Sequence, residues 1–152
     1  MNAIELLKAD HETVSTLFEK FKANEDGDNT SLFEQIKSEL DIHTHIEETI
    51  FYPKMQKEGN DELKKMVLES LEEHRQVKMF LSELDALADD SKKFNPKLKV
   101  LVEDVEHHVE EEEGEMFPLI EDQFDEEVLE QMGTELEQEK NKFKKSVSAS
   151  GR

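Results

Sequence analysis

The sequence has no cysteine anywhere in its 152 residues. That excludes disulfides, thiolate nucleophiles, thiolate-held zinc and cysteine-held iron–sulfur clusters. Long apolar runs are missing as well, and none approaches the roughly 18 residues of a membrane span. The start, Met1-Asn2-Ala3-Ile4-Glu5, lacks the basic stretch and apolar run of a secretion signal, so a soluble cytoplasmic protein is expected. Glycines number five and prolines three, which favours long uninterrupted helices over a turn-rich β protein. Basic side chains are scarce: 19 stand against 39 acidic ones, for a net charge of −20. Such a surface repels phosphate and anionic lipid, so neither a nucleic acid nor a membrane surface is expected as a partner.

Apolar residues make up 35% of the chain and charged residues 38%, a balance also seen in disordered chains. The pattern decides for order, because the apolar residues recur at helical intervals. Leu7, His11, Val14, Phe18 and Phe21 share one face of a first helix. A polar loop, Asn24 to Asn29, follows. A second helix from about Thr30 aligns Phe33, Ile36, Leu40, His43, Glu47 and Ile50, and should kink or end near Pro53. Gly59-Asn60-Asp61 reads as a stop and a new start. The third helix, about 61–88, aligns Val67, Leu71, His74, Val77, Leu81 and Leu84. After a loop from Asp89 to Lys93, Asn95-Pro96 reads as a cap and first helical position. The fourth helix, about 96–122, aligns Leu101, Val105, His108, Glu112 and Leu119.

The expected fold is all-α: an antiparallel up-down four-helix bundle over residues 1–122, then a short C-terminal helix and flexible tail over 123–152. Within that tail, a helix is expected over about 126–145, with Ser146 to Arg152 frayed. Gly133 weakens this helix by roughly 1 kcal/mol of propensity.

Each of the four inward stripes contains one histidine. The chain also repeats itself. His43-x-x-x-Glu47-Glu48 and His108-x-x-x-Glu112-Glu113 are each followed by an aromatic and a proline at the same offsets. Asp10-His11 and Glu73-His74 form a looser second pair. The pattern is two copies of one helical hairpin. Residues four apart lie on one helix face, so His43 with Glu47, and His108 with Glu112, present an imidazole and a carboxylate at similar depth. His11 and His74 add one imidazole each. Four imidazoles and two carboxylates suit two divalent metals, whose charge offsets two buried anions that would otherwise be very costly. Without thiolates, the set favours iron, with manganese or zinc as alternatives. His45 and His107 fall off the inward stripes and are expected not to be ligands. Glu48 and Glu113 are expected to be exposed or to lie just outside the ligands.

These elements resemble the hemerythrin-like HHE cation-binding domains over residues 5 to about 122. The residues that carry the resemblance are Asp10-His11, His43 to Pro53, Glu73-His74 and His107 to Pro118. The resemblance implies a four-helix bundle with a non-haem di-iron centre held by His11, His43, Glu47, His74, His108 and Glu112, the two glutamates bridging. Oxygen-carrying hemerythrins have a further histidine one turn after the third-helix ligand, where this chain has Lys78. They also step five residues to an aspartate in the fourth helix, where this chain steps four, to Glu112. The expected function is therefore binding of, or reaction with, a small diatomic ligand or peroxide in sensing or stress protection, rather than oxygen storage. An iron-buffering module without turnover is the alternative.

Overall fold

The computed structural model describes the backbone of residues 1–88 and 90–149 and is all-helical, with no strand among the described residues. Helix α1 spans Ala3–Lys22, α2 Thr30–Ile46, α3 Tyr52–Glu58, α4 Asp61–Ala86, α5 Phe94–Glu111, α6 Phe117–Gln123 and α7 Glu126–Ala149. Asn2 opens α1 with a capping box, its side chain accepting from the Glu5 N–H while Glu5 accepts from the Asn2 N–H. Asn60 caps α4 by accepting from the Leu63 N–H.

The second helix does not end at Pro53. It passes through a π turn, Glu47–Phe51, straight into α3. The fourth does the same through Glu112–Met116 into α6. In each π turn the closing bond spans five residues: Tyr52 N–H donates to Glu47 O, and Phe117 N–H to Glu112 O. Pro53 and Pro118 follow immediately, so each wide turn precedes a residue that has no N–H to continue the ladder. The extra residue per turn rotates everything downstream by about 100°. Phe51 and Ile120 are therefore fully buried, where a regular helix would bury Ile50 and Leu119. On α4 the face also differs by one position, since Ser70 is buried and Leu71 is only partly so.

The helix that opens at Phe94 takes Asn95 into its first turn. Asn95 does not cap it, but ties the loop to Gly27 O and Asn29. The C-terminal helix is not short: α7 has 24 residues and continues through 146–149, where fraying was expected. Asp89, the first residue of the expected loop, and the tail residues 150–152 lie outside the described residues.

The apolar interior forms two clusters. One gathers Val14, Phe18 and Phe21 of α1 with Phe33, Ile36, Leu81, Leu98 and neighbours. The other gathers Leu6 and Leu7 with Phe51, Met55, Leu63, Phe117 and the α7 residues Leu129, Met132 and Leu136. Along each of α1, α2, α4 and α5 the histidine falls between the two clusters, so a polar layer crosses the interior.

Candidate metal centre

That layer contains all six residues singled out by the sequence. Glu47 and Glu112 are fully covered, and His11, His43, His74 and His108 are buried. The histidine Nε2 atoms converge on the two carboxylates. His43 Nε2 lies 3.3 Å and His74 Nε2 3.0 Å from Glu47 Oε1. His11 Nε2 lies 3.1 Å from Glu112 Oε1, and His108 Nε2 3.6 Å from Glu112 Oε2. Two overlapping groups have ligand atoms all within 4.8 Å of one another: His11, His43, Glu47 and Glu112, and Glu47, His74 and His108.

The opposite ring nitrogen explains why the Nε2 atoms face inward. Each Nδ1 meets a carboxylate, which can only accept, so Nδ1 carries a hydrogen and Nε2 is the atom turned to the centre, free to offer its lone pair once it holds no proton of its own. His11 Nδ1 donates to Glu113 at 2.6 Å and His74 Nδ1 to Glu48 at 2.7 Å. His108 Nδ1 donates to Glu73 at 2.6 Å and His43 Nδ1 to Asp10 at 3.3 Å. Lys140 of α7 in turn bonds Asp10, and Lys78 bonds Glu48.

The pattern respects the sequence repeat. Glu113 and Glu48 act across the two halves, while Asp10 and Glu73 act within their own. Glu48 and Glu113 thus orient the rings of His74 and His11 from just outside the cluster. Asp10 and Glu73 were visible only as neighbours of a histidine in sequence, with no sign of which ring they would orient.

Tyr52 breaks the symmetry. Its hydroxyl donates to Glu112 Oε2 at 2.6 Å and lies 3.2 Å from Glu47 Oε1. Its counterpart in the second half is Phe117, whose ring stacks on His11 with centroids 6.0 Å apart. Burial and the two carboxylates push the Tyr52 phenol well up, so it stays protonated as a donor.

His45 and His107 are outside the cluster. His107 is exposed and pairs with Glu111 at 2.6 Å. His45 does not face open solvent as a bare helical wheel suggests. It bonds Glu139 at 2.7 Å and stacks on Phe143, both on α7.

Burial lowers the basicity of His43 and His74, but the neighbouring carboxylates prevail. His43 is held well above its usual value by Glu47 and Asp10, and His74 is raised to about 9 by Glu47 and Glu48. Burial likewise raises Glu47, yet His43 and His74 bring it well below the usual carboxylate range. Without a cation, then, the layer holds protons in the place of positive charge. His11 Nε2, His43 Nε2, His108 Nε2, Glu47 Oε2 and Glu112 Oε1 nevertheless find no hydrogen-bond partner. Buried polar atoms brought this close without well-formed hydrogen bonds carry a cost that a bound cation would remove. Imidazole nitrogen and carboxylate oxygen are a donor set that fits divalent transition metals.

Fold and site together define an all-helical protein whose interior is built around a histidine–carboxylate cluster able to hold metal ions. The family model described as Hemerythrin HHE cation binding domain matches residues 2–120, and the chain belongs to this family. A hemerythrin-like protein of Schizosaccharomyces pombe, described as uncharacterised, is 30% identical over 132 residues, covering 86% of this chain and 65% of its own. A protein of Nostoc sp. described as a DNA nickase is 27% identical over 151 residues, covering 97% of this chain and 41% of its own. The chain thus spans less than two thirds of either relative. The crystal structure of a hemerythrin HHE cation-binding domain-containing protein from Mycobacterium kansasii superposes with a TM-score of 0.78 at 26% identity, covering 100% of this chain and 95% of that one.

Proton competition gives a testable sign. The His74 value lies above 6.5 and near 9 in the metal-free fold, so its charge stabilises that fold below pH 6.5 and is lost as pH rises through about 9. Metal must displace this proton. Affinity for a divalent cation is therefore expected to rise steadily from pH 6.5 to 9, measured by competition with a chromophoric chelator. A flat profile would contradict the proton placement.

Proposed function

We propose that the chain is a non-haem di-iron protein that binds or reacts with a small diatomic ligand or peroxide. His11, His43, Glu47, His74, His108 and Glu112 would hold the ions. Residues 1–122 form an antiparallel up-down four-helix bundle around the centre, and the segment from residue 123 covers one face. Iron held there would supply electrons and open coordination positions to a small ligand. The chain's own residues do the rest. The four Nδ1 carboxylates fix the rings, the apolar clusters above and below exclude bulk water, and the Tyr52 hydroxyl holds Glu112 through one hydrogen bond.

The observation that carries the ligand class is a small space of about 20 Å³ beside the four histidines. Its other walls are Val14, Leu40, Thr44, Val77, Val105 and Val109. That volume admits one water-sized molecule, and its walls favour an apolar diatomic over a larger substrate. The nicking activity named for the Nostoc relative is not carried over. The net charge of −20 opposes approach to DNA phosphate, and the match reaches less than half of that relative.

Anaerobic loading with ferrous iron followed by desalting should leave about two irons per chain. The loaded protein should then bind nitric oxide or oxidise rapidly with oxygen or peroxide. Val77→Ile, which adds one methylene to the small space, should leave iron content unchanged and slow ligand binding at least about tenfold. Loaded protein that releases iron reversibly and reacts with none of the three ligands would establish the buffering role instead.

A further inference from the structure

The two halves repeat in sequence, yet among the described residues the cleft that reaches the carboxylate layer lies in the second half, while the groove between the first π turn and α7 is lined by Thr49, Ile50 and Glu139 and reaches neither Glu47 nor Glu112. The cleft lies between α4 and the second π turn and has a volume of about 310 Å³. Glu62, Glu69, Glu111 and Glu115 line it, with Lys65 as the one basic lining residue. Its inner end reaches Ser70, Met116 and Glu112. Glu112 is almost fully buried, and its Oε1 is one of the orphaned atoms. The acidic rim therefore leads to a buried carboxylate with one oxygen, Oε1, left without a hydrogen bond, not merely to more surface charge.

The corresponding place in the first half is closed. The residues 63 positions before Glu69 and Ser70 are Leu6 and Leu7, and those 65 before Glu111 and Glu115 are Ile46 and Ile50. Leu6, Leu7 and Ile46 are buried in the cluster that includes Leu129, Met132 and Leu136 of α7, and Ile50 packs against it. Polar residues on one side are thus matched by apolar ones on the other, and α7 lies over the apolar side.

We propose that the cleft between α4 and the second π turn is the port through which a divalent cation reaches the buried cluster, while α7 seals the equivalent port. The inference rests on the metal-binding reading above. The glutamates at the mouth concentrate cations and draw them inward, an effect of roughly 10- to 1,000-fold on association when one sign of charge lines a cleft. Glu112 is the first ligand met at the inner end. Because its side chain is fully covered, passage requires Met116 or Ser70 to shift, and a thioether side chain repacks readily.

The test uses cobalt(II) as the probe, since its ligand-field absorption reports entry in a stopped-flow trace with the full chain. Glu69→Lys combined with Glu115→Lys changes the mouth by four charges without touching the ligands. A second protein, Glu130→Lys with Glu137→Lys, makes the same charge change on the exposed face of α7. The mouth variant should take up cobalt at least about tenfold more slowly at low salt, with the gap closing at high salt, and should reach the same final cobalt per chain. The α7 variant should match the parent within about twofold. Equal slowing in both variants, or in neither, would overturn the port while leaving the centre intact. No cobalt or iron uptake by the parent chain would overturn the centre and the port together.

Discussion

Glu47→Ala is expected to empty the centre. Glu47 is the residue common to both groups of converging ligand atoms, reached by His43 and His74 from different helices. Its loss removes the negative charge that two cations would share, and no nearby side chain replaces it. A ligand present at a thousand times its dissociation constant stabilises the fold by about 4 kcal/mol. For a chain of this length that corresponds to roughly 8–16 °C in Tm. The parent should show that rise on adding metal, and Glu47→Ala should show none. His45→Ala provides the contrast. It gives up the bond to Glu139 and the stack on Phe143, so it loosens α7, but it should keep its full metal content. Retention of metal by Glu47→Ala and its loss from His45→Ala would place the ligand face of α2 half a turn away from where it is drawn here.

Gly133→Ala is expected to lower stability, against the direction that helix propensity alone predicts. Alanine in a helix interior gains about 1 kcal/mol over glycine. Here, however, a Cβ would sit 2.2 Å from Met1 O and 2.8 Å from the Asn2 carbonyl carbon. Those are backbone atoms at the start of α1 and cannot swing aside. Overpacking of this kind costs about 1–3 kcal/mol, and backbone contact puts the cost at the upper end. A net loss of about 2 kcal/mol, or roughly 4–8 °C in Tm, should follow in a thermal melt of the metal-free protein. A melting temperature that rises instead would mean α7 does not press on α1.

The glycine also marks what the sequence does not disclose. Read along one chain, Gly133 only weakens a helix. Its reason lies in a contact with residues more than 120 positions away. The stripes of α1, α2, α4 and α5 were legible because burial and helical period act on the same residues, and the repeat of His-x-x-x-Glu picked the two carboxylates of the buried cluster from a background of 39 acidic residues. The same background hid Asp10 and Glu73. Periodicity assigns a residue to a face but says nothing about which ring on another helix that face will meet. The π turns were masked for a related reason. Assuming 3.6 residues per turn throughout puts Ile50 and Leu119 inward, and only the matching prolines at 53 and 118 hinted that both helices change pitch. The length of α7 was underestimated because its apolar positions are sparse, and its stability comes from what it covers.

The exchange of partners between the halves also shapes how the chain acquires its structure. His11 depends on Glu112 and Glu113, which lie about a hundred residues later. His74 depends on Glu47 and Glu48 from the first half. During synthesis at about 5–20 residues per second, the first hairpin therefore waits some 5–20 s before His11 can find either partner. Until then its own layer holds unpaired polar atoms between two incomplete apolar clusters. Neither hairpin completes its polar layer alone, and residues up to Leu136, which the buried cluster includes, must leave the ribosome before the interior can close.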